Sequence, residues 1–286
     1  LTSLFIWHIM NNGGRKEKMN IIKEHFKSIH EMIDTIESRE TNKVMMKGDK
    51  ASHTGSYDFT KTHSYEEAKE LYRNGYVEIL DKIKAGMVKN MKNNSVVNRR
   101  QVTTNVIGYA PHVPNAILGL PNSMIMTKSQ AQKAKTLSIC YCICQNASTE
   151  ADEFIKSGIA VLSVINSLEL QGVRVKLRIN FYSAREGEDV AFGTIDVKDY
   201  REHLDIQKLC FPIAHPSMFR RMGFKWLETC EGLKDEDWWN GYGKTIFNED
   251  LINEYLLEKD EVYLNLNVTK RYNYNVDRII ESFNLK

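Results

Sequence analysis

Between His215 and Glu228 the chain gathers side chains able to do chemistry: His215-Pro216-Ser217-Met218-Phe219-Arg220-Arg221, then Trp226-Leu227-Glu228. A guanidinium offers a planar fork of donors, so Arg220 and Arg221 could hold a phosphate or a partner's carboxylate. If Pro216 opens a helix, Arg221 and Glu228 lie seven apart on one face of it. Nucleophilic catalysis would ask His215 to activate Ser217 or Cys210, and neither has a glycine elbow or other activating context. The same residues also read as a structural unit, with a hydrogen-bonded histidine at a helix start and an arginine paired with Glu228. A second group is the basic run Lys84, Lys89, Lys92, Arg99 and Arg100. It could touch a phosphate backbone, but no aromatic side chain interleaves it to stack bases. Cys140, Cys142 and Cys144 alternate on one strand face, a spacing that suits core packing rather than zinc or a disulfide between neighbours.

A third place where chemistry would sit is the loop Gln145-Asn146-Ala147-Ser148-Thr149. It follows an apolar run, Leu137 to Cys144, and precedes an amphipathic pattern from Asp152 to Leu170 and a second alternating run from Val173 to Tyr182. That order is a βαβ unit, whose sheet must be covered on both faces and whose first loop is the usual ligand position. By layout the region resembles a von Willebrand A-like sheet, whose loop here would carry an Asp-x-Ser-x-Ser ion site. This chain has Cys144 or Gln145 in place of the aspartate, so the resemblance implies a degenerate metal-site loop with no metal. Asn146, Ser148 and Thr149 then read as caps for the next helix, with anion binding at the helix start as the alternative.

The elements that position these groups are legible in part. Ile22, Phe26, Ile29, Ile33 and Ile36 recur at helical spacing and predict one helix, and Met45 to Thr60 predicts a loop. Ser64-Tyr65-Glu66-Glu67 is a capping box with a stop at Gly75, and Val77 to Met91 predicts a further helix. Gly108 to Met126, with Pro111, Pro114 and Pro121, predicts an ordered but irregular connection. Ala191 to Asp196 predicts a strand, and Leu209 to Leu227 a helix broken near Pro212 and Pro216. Ile246 to Leu257 predicts a helix, and Glu261 to Thr269 a strand. Trp238 and Trp239, after Asp235-Glu236-Asp237, read as core or as an exposed knob.

The expected division is a translated leader over 1–18 with the true start at Met19, a helical region over 19–107, the Pro/Gly-rich connection over 108–135 and an α/β core over 136–286. The leader reading rests on Gly13-Gly14-Arg15-Lys16-Glu17, which looks like a translated ribosome-binding site. Apolar residues make up 42% and charged residues 27%, an ordinary globular balance, and a net charge of +2 supplies no global field for nucleic acid or membrane. Five cysteines, an odd number on such spacings, read as reduced and intracellular.

Thr54-Gly55-Ser56, Ser64-Tyr65-Glu66-Glu67-Ala68, Gly108-Tyr109-Ala110-Pro111-His112-Val113-Pro114, Gly158-Ile159-Ala160 and His215-Pro216 with Arg220-Arg221 together resemble an uncharacterised bacteriophage protein family. The resemblance implies no assigned activity, a place in the bacterial host cytoplasm and a mostly parallel α/β sheet with flanking helices. The function expected is a non-catalytic macromolecule-binding module with a protein partner, no membrane and no cofactor. The candidate binding residues are His215, Arg220, Arg221, Glu228, Asn146 and Ser148. Two alternatives stand beside it: a phosphate- or nucleotide-handling enzyme built on His215, Arg220 and Arg221, and nucleic-acid binding through Lys89, Lys92, Arg99 and Arg100.

Overall fold

The computed structural model describes residues 20–40, 52–91, 101–128, 135–184, 189–233 and 249–283. In chain order the first half holds β1 (Asn20–Phe26), α1 (Ile29–Ser38), α2 (Tyr57–Thr60), α3 (Tyr65–Asn74), a 3-10 turn at Val77–Ile79 and α4 (Leu80–Met91). Next come β2 (Gln101–Asn105), β3 (Ala110–Pro111), α5 (Val113–Ile117) and β4 (Met124–Lys128). The second half holds β5 (Lys135–Cys142), α6 (Ala151–Leu170), β6 (Val173–Ala184), β7 (Asp189–Lys198), α7 (Ile206–Ala214), a π-helical turn at Met218–Gly223 and α8 (Phe224–Thr229). It closes with α9 (Glu249–Tyr255), β8 (Glu261–Leu264), α10 (Leu266–Arg271) and α11 (Val276–Ser282). The leader and Met19, Met45 to Ala51, Lys92, Arg99, Arg100, Asp235 to Trp239 and Ile246 all lie outside the described residues.

The fold is mixed α/β around a five-stranded sheet of order β1-β7-β6-β5-β8. β5 runs parallel to β6 and to β8, and β1 parallel to β7, while β6 and β7 are antiparallel. The βαβ unit stands as the sequence predicts: β5, the crossover helix α6, then β6, with Leu137 opposite Val175 and Tyr141 opposite Ile179. Apolar side chains cover both faces of these strands because both faces are packed. Tyr141 reaches Ser157 on α6 and Phe181 meets Trp226 on α8 edge-on at 4.8 Å. On the other face Tyr255, the last residue of α9, lies under the Lys23 ammonium, and Arg178 donates to the Leu256 carbonyl.

That second face buries the three alternating cysteines, Cys140 opposite Arg178 and Cys142 opposite Asn180, and all five cysteines are free thiols. Beside them Arg178 meets Glu261 in a buried ion pair, and Glu261 also accepts from Ser138 and from the Glu258 amide. A buried pair holds only when its remaining lone pairs are satisfied, and here they are. Burial alone would raise the Glu261 carboxyl, yet the Arg178 bond and these donors hold it below its ordinary value.

Several expectations are corrected. Ile22 and Phe26 belong to a strand, in register with Ala191 and Ile195 of β7, and only residues from Ile29 onward are helical. A spacing of four satisfies a strand's period as well as a helix's, so this pair could not discriminate. The missed signal is Ser28 with Glu31: Ser28 Oγ accepts from the Glu31 amide and starts α1. At the other end, Glu261 to Thr269 is a strand only to Leu264, because the Asn265 side chain accepts from the Val268 amide and opens α10. Tyr57–Thr60, expected as loop, forms one helical turn. Pro212 is tolerated inside α7, so the break falls at Pro216 alone.

The segment expected as an irregular connection is part of a second sheet, of order β2-β4-β3. β2 pairs with β4 from Gln101 opposite Lys128 to Asn105 opposite Met124. Gly108 permits the close return: a Cβ there would lie 2.1 Å from the Ile125 carbonyl oxygen.

Gly158 in the middle of α6 has a comparable reason, since an added Cβ would lie 2.4 Å from Ala214 Cα on α7. Glycine to alanine in an exposed helix gains about 0.5–1 kcal/mol. At this crossing the obstacle is backbone and the helices must part, which costs about 1–3 kcal/mol. Gly158→Ala is therefore expected to lower the denaturant midpoint with an unchanged slope; a raised midpoint would refute the close α6–α7 contact.

Candidate functional site

α7 delivers His215 as its last capping residue, and the following Pro216 keeps that backbone extended, with ψ of 127°. The ring is 1% exposed, stacked on Phe211 at 5.1 Å and met edge-on by Tyr76 at 4.6 Å. Its Nδ1 accepts from the Ser217 amide at 3.1 Å, so the proton of the neutral ring sits on Nε2. Burial pulls its pKa down to about 3. Such a ring is a weak proton acceptor, and its bond with the Ser217 amide holds the turn that follows.

That turn is π-helical and carries both arginines, each almost fully buried. Arg220 lies over the Phe59 ring at 3.8 Å and donates to the carbonyls of Phe59 (2.6 Å), Asn146 (3.3 Å) and Thr149 (2.6 Å). Arg221 donates to the carbonyls of Ser52 (3.0 Å), Gly55 (3.2 Å) and Thr62 (2.9 Å), and to the hydroxyls of Thr60 and Thr62. Glu228, buried on α8, accepts from the Ser52 amide at 2.9 Å and the Ser52 hydroxyl at 2.6 Å. Arg221 and Glu228 thus meet on the two sides of one residue, Ser52. Burial lowers the pKa of both arginines, that of Arg220 to about 10.

The structure brings His215, Arg220, Arg221 and Glu228 together. Through Arg220 it also joins them to the loop after β5, a link absent from the sequence reading. Asn146 and Ser148 are exposed on that loop, and what Arg220 holds is main chain. The expected capping of α6 by Asn146, Ser148 or Thr149 is corrected: the N-cap is Glu150, without a side-chain cap bond, and the loop closes on itself through the Thr149 amide and the Asn146 carbonyl. Of the basic run, Lys84 is exposed on α4, and Lys89 belongs to that helix with its side chain outside the described part. Burial pushes the Cys210 thiol up to about 12, so it stays protonated. Among the described residues no group of three or more His, Cys, Asp or Glu could hold a metal ion.

A different kind of site lies in the β2-β4-β3 sheet. From Gln101 to Thr127 the sequence has no Asp, Glu, Lys or Arg. Val106, Ile107, Tyr109, Ile117, Leu118 and Leu120 stand exposed there, Ile107 at 79% and Ile117 at 80%. Most large apolar side chains found exposed among the described residues fall in this segment. The segment is nevertheless well bonded: the Tyr109 amide donates to the Ile125 carbonyl, His112 to Ser123 and Leu120 to Asn115, and Asn115 Nδ2 donates to the Asn122 carbonyl. Its prolines point to an irregular connection, whereas its lack of charge is the signal in the sequence that marks this surface.

A family model described as Domain of unknown function (DUF7192) matches residues 11–286. No curated protein and no solved structure matches the chain.

Two outcomes follow from the buried cluster. Replacing Arg221 with Met strands the buried carbonyls of Ser52, Gly55 and Thr62, and is expected to cost about 3 kcal/mol or more in chemical denaturation. A loss below about 0.5 kcal/mol would contradict the bonding described. His215 has a folded pKa depressed below its unfolded value, so its stabilising contribution is full above about pH 6.5 and is lost as pH falls toward about 3. His215→Asn keeps an acceptor for the Ser217 amide but cannot titrate. Its stability should fall less steeply than that of the parent between pH 6.5 and 4, as read by denaturant titration at each pH.

Proposed function

This chain belongs to that family, and we propose that it is a non-catalytic protein-binding module whose contact surface is the uncharged segment of residues 101–127. The carrying observation is the coincidence of exposed apolar side chains with an unbroken run lacking formal charge, Gln101 to Thr127. Large apolar patches on ordered surfaces mark interaction sites, and depletion of charge is what distinguishes the core of a protein interface. Anionic membrane is a poorer fit, since peripheral docking draws on basic residues and this run has none. No described helix is long and apolar enough to cross a membrane.

The buried cluster supports the same reading. A phosphate-handling enzyme would need Arg220 and Arg221 free to meet its substrate, whereas their terminal nitrogens are bonded to main-chain carbonyls and a threonine hydroxyl. In a von Willebrand A-like layout the loop after β5 would be the position of the ion site, and here Arg220 donates to the carbonyls of Asn146 and Thr149 on that loop. Nucleic-acid binding through the basic run would show as an affinity falling steeply with salt. The phage-type origin and the bacterial cytoplasm come from the resemblance in sequence and complete the reading.

The test is site-specific photo-crosslinking in bacterial lysate, with the crosslinker at Ile117 in one protein and at exposed Lys82 of α4 in another. A discrete adduct is expected from Ile117 alone, and it should disappear when Ile107 is changed to Asp, a surface change worth no more than about 0.5 kcal/mol of stability. Equal adducts from both positions, or none from Ile117, would reject the surface.

A further inference from the structure

Beyond this surface, a small cleft opens at the carboxyl ends of β5, β6 and β8, with a volume of about 120 Å³. Cys142, Cys144 and Tyr182 line it from the sheet, Glu153 from the first turn of α6, and Asn265 and Lys270 from the cap and last turn of α10. Gln145, the residue after the last cysteine, also lines it. Its side chain is in a residue only 9% exposed, and its Nε2, a double donor, has no hydrogen-bond partner. Buried donors are nearly always satisfied, so an orphan in the wall of a cleft calls for an acceptor from outside the chain.

The surrounding charges specify that acceptor. Lys270 Nζ stands 2.7 Å from Glu153 Oε1, so the glutamate at the rim is already neutralised by a cation. α6 is 20 residues long and begins at this wall without a side-chain cap, leaving the positive end of its dipole open. With that pair neutral, the Gln145 donor and the helix start favour an anion. Glu150, Asp152 and Glu153 in the same turn work against a dianion, and the volume admits only a few non-hydrogen atoms. We infer that the cleft binds a small monocarboxylate, whose oxygens accept from Gln145 Nε2 at the uncapped start of α6.

The probes are sodium acetate, lactate and glycine, with sodium chloride and sulfate at matched ionic strength, added to the full chain labelled with ¹⁵N at glutamine side chains. Gln145→Glu identifies the Gln145 amide by its disappearance from the spectrum. The expected result is a saturable shift of that amide with at least one carboxylate and none with chloride or sulfate. Binding, followed by calorimetry, should weaken by at least about tenfold in Gln145→Glu and in the uncharged Gln145→Met. An amide indifferent to every carboxylate, shifts of equal size with chloride, or undiminished binding in both variants would each overturn the assignment and leave water as the occupant.

Discussion

Two buried guanidinium groups organise this protein, and the way their donors are satisfied decides what the helical side can do. A charge removed from water must be paired or fully hydrogen-bonded. Arg221 meets the demand with carbonyls of the segment from Ser52 to Thr62, and Arg220 meets most of it through its terminal nitrogens, with carbonyls of Phe59 and of the β5–α6 loop, its Nε being left without a partner. Neither segment has much regular structure of its own, so the arginines replace the ladder bonds that a helix or strand would have supplied. The π-helical turn places two consecutive side chains toward two different segments, and Pro216 marks where that turn departs from α7. Activity at His215 would require mobility and exposed donors at the point where the structure commits them to packing.

The legibility of the fold follows the strength of local signals. The βαβ unit could be read because its strands are buried on both faces and its helix is long. The α3 start was legible because Ser64 accepts from the Glu67 amide as the capping box predicts, with Glu67 reaching back one residue further, to His63. β1 was misread because Ile22 and Phe26 satisfy both periods, and its identity depends on a partner strand roughly 170 residues away in sequence. The small sheet was hidden by its prolines, which are punctuation to a local reading. β3 is only Ala110–Pro111, and Pro111 gives up no donor that the pairing needs at that short strand. Of the candidate site, the residue types and their grouping were legible. The acceptors of Arg220 and Arg221 were not, because they are backbone atoms and carry no sequence signature.

The two sheets divide the chemistry of the molecule. The large sheet buries its polar groups in specific pairs, such as Arg178 with Glu261 and Tyr141 with Ser157. Each such pair penalises a shifted register, so polarity inside this core defines one arrangement. The small sheet inverts the pattern, keeping its main chain bonded while turning apolar side chains outward. On the proposed reading, stability and recognition fall to different stretches of the sequence, and substitutions on the outer sheet would change what is bound without loosening the scaffold.

The pairing of β1 with β7 has a consequence for how the molecule is made. β7 must itself wait for β6, its other neighbour, so the earliest described strand finds its seat only after the chain has been extended past Lys198. Closure across so long a separation is entropically slow. During synthesis on a ribosome, the emerging amino-terminal strand would wait with an unpaired edge while the crossover unit assembles. Chaperone dependence should therefore concentrate on that waiting period.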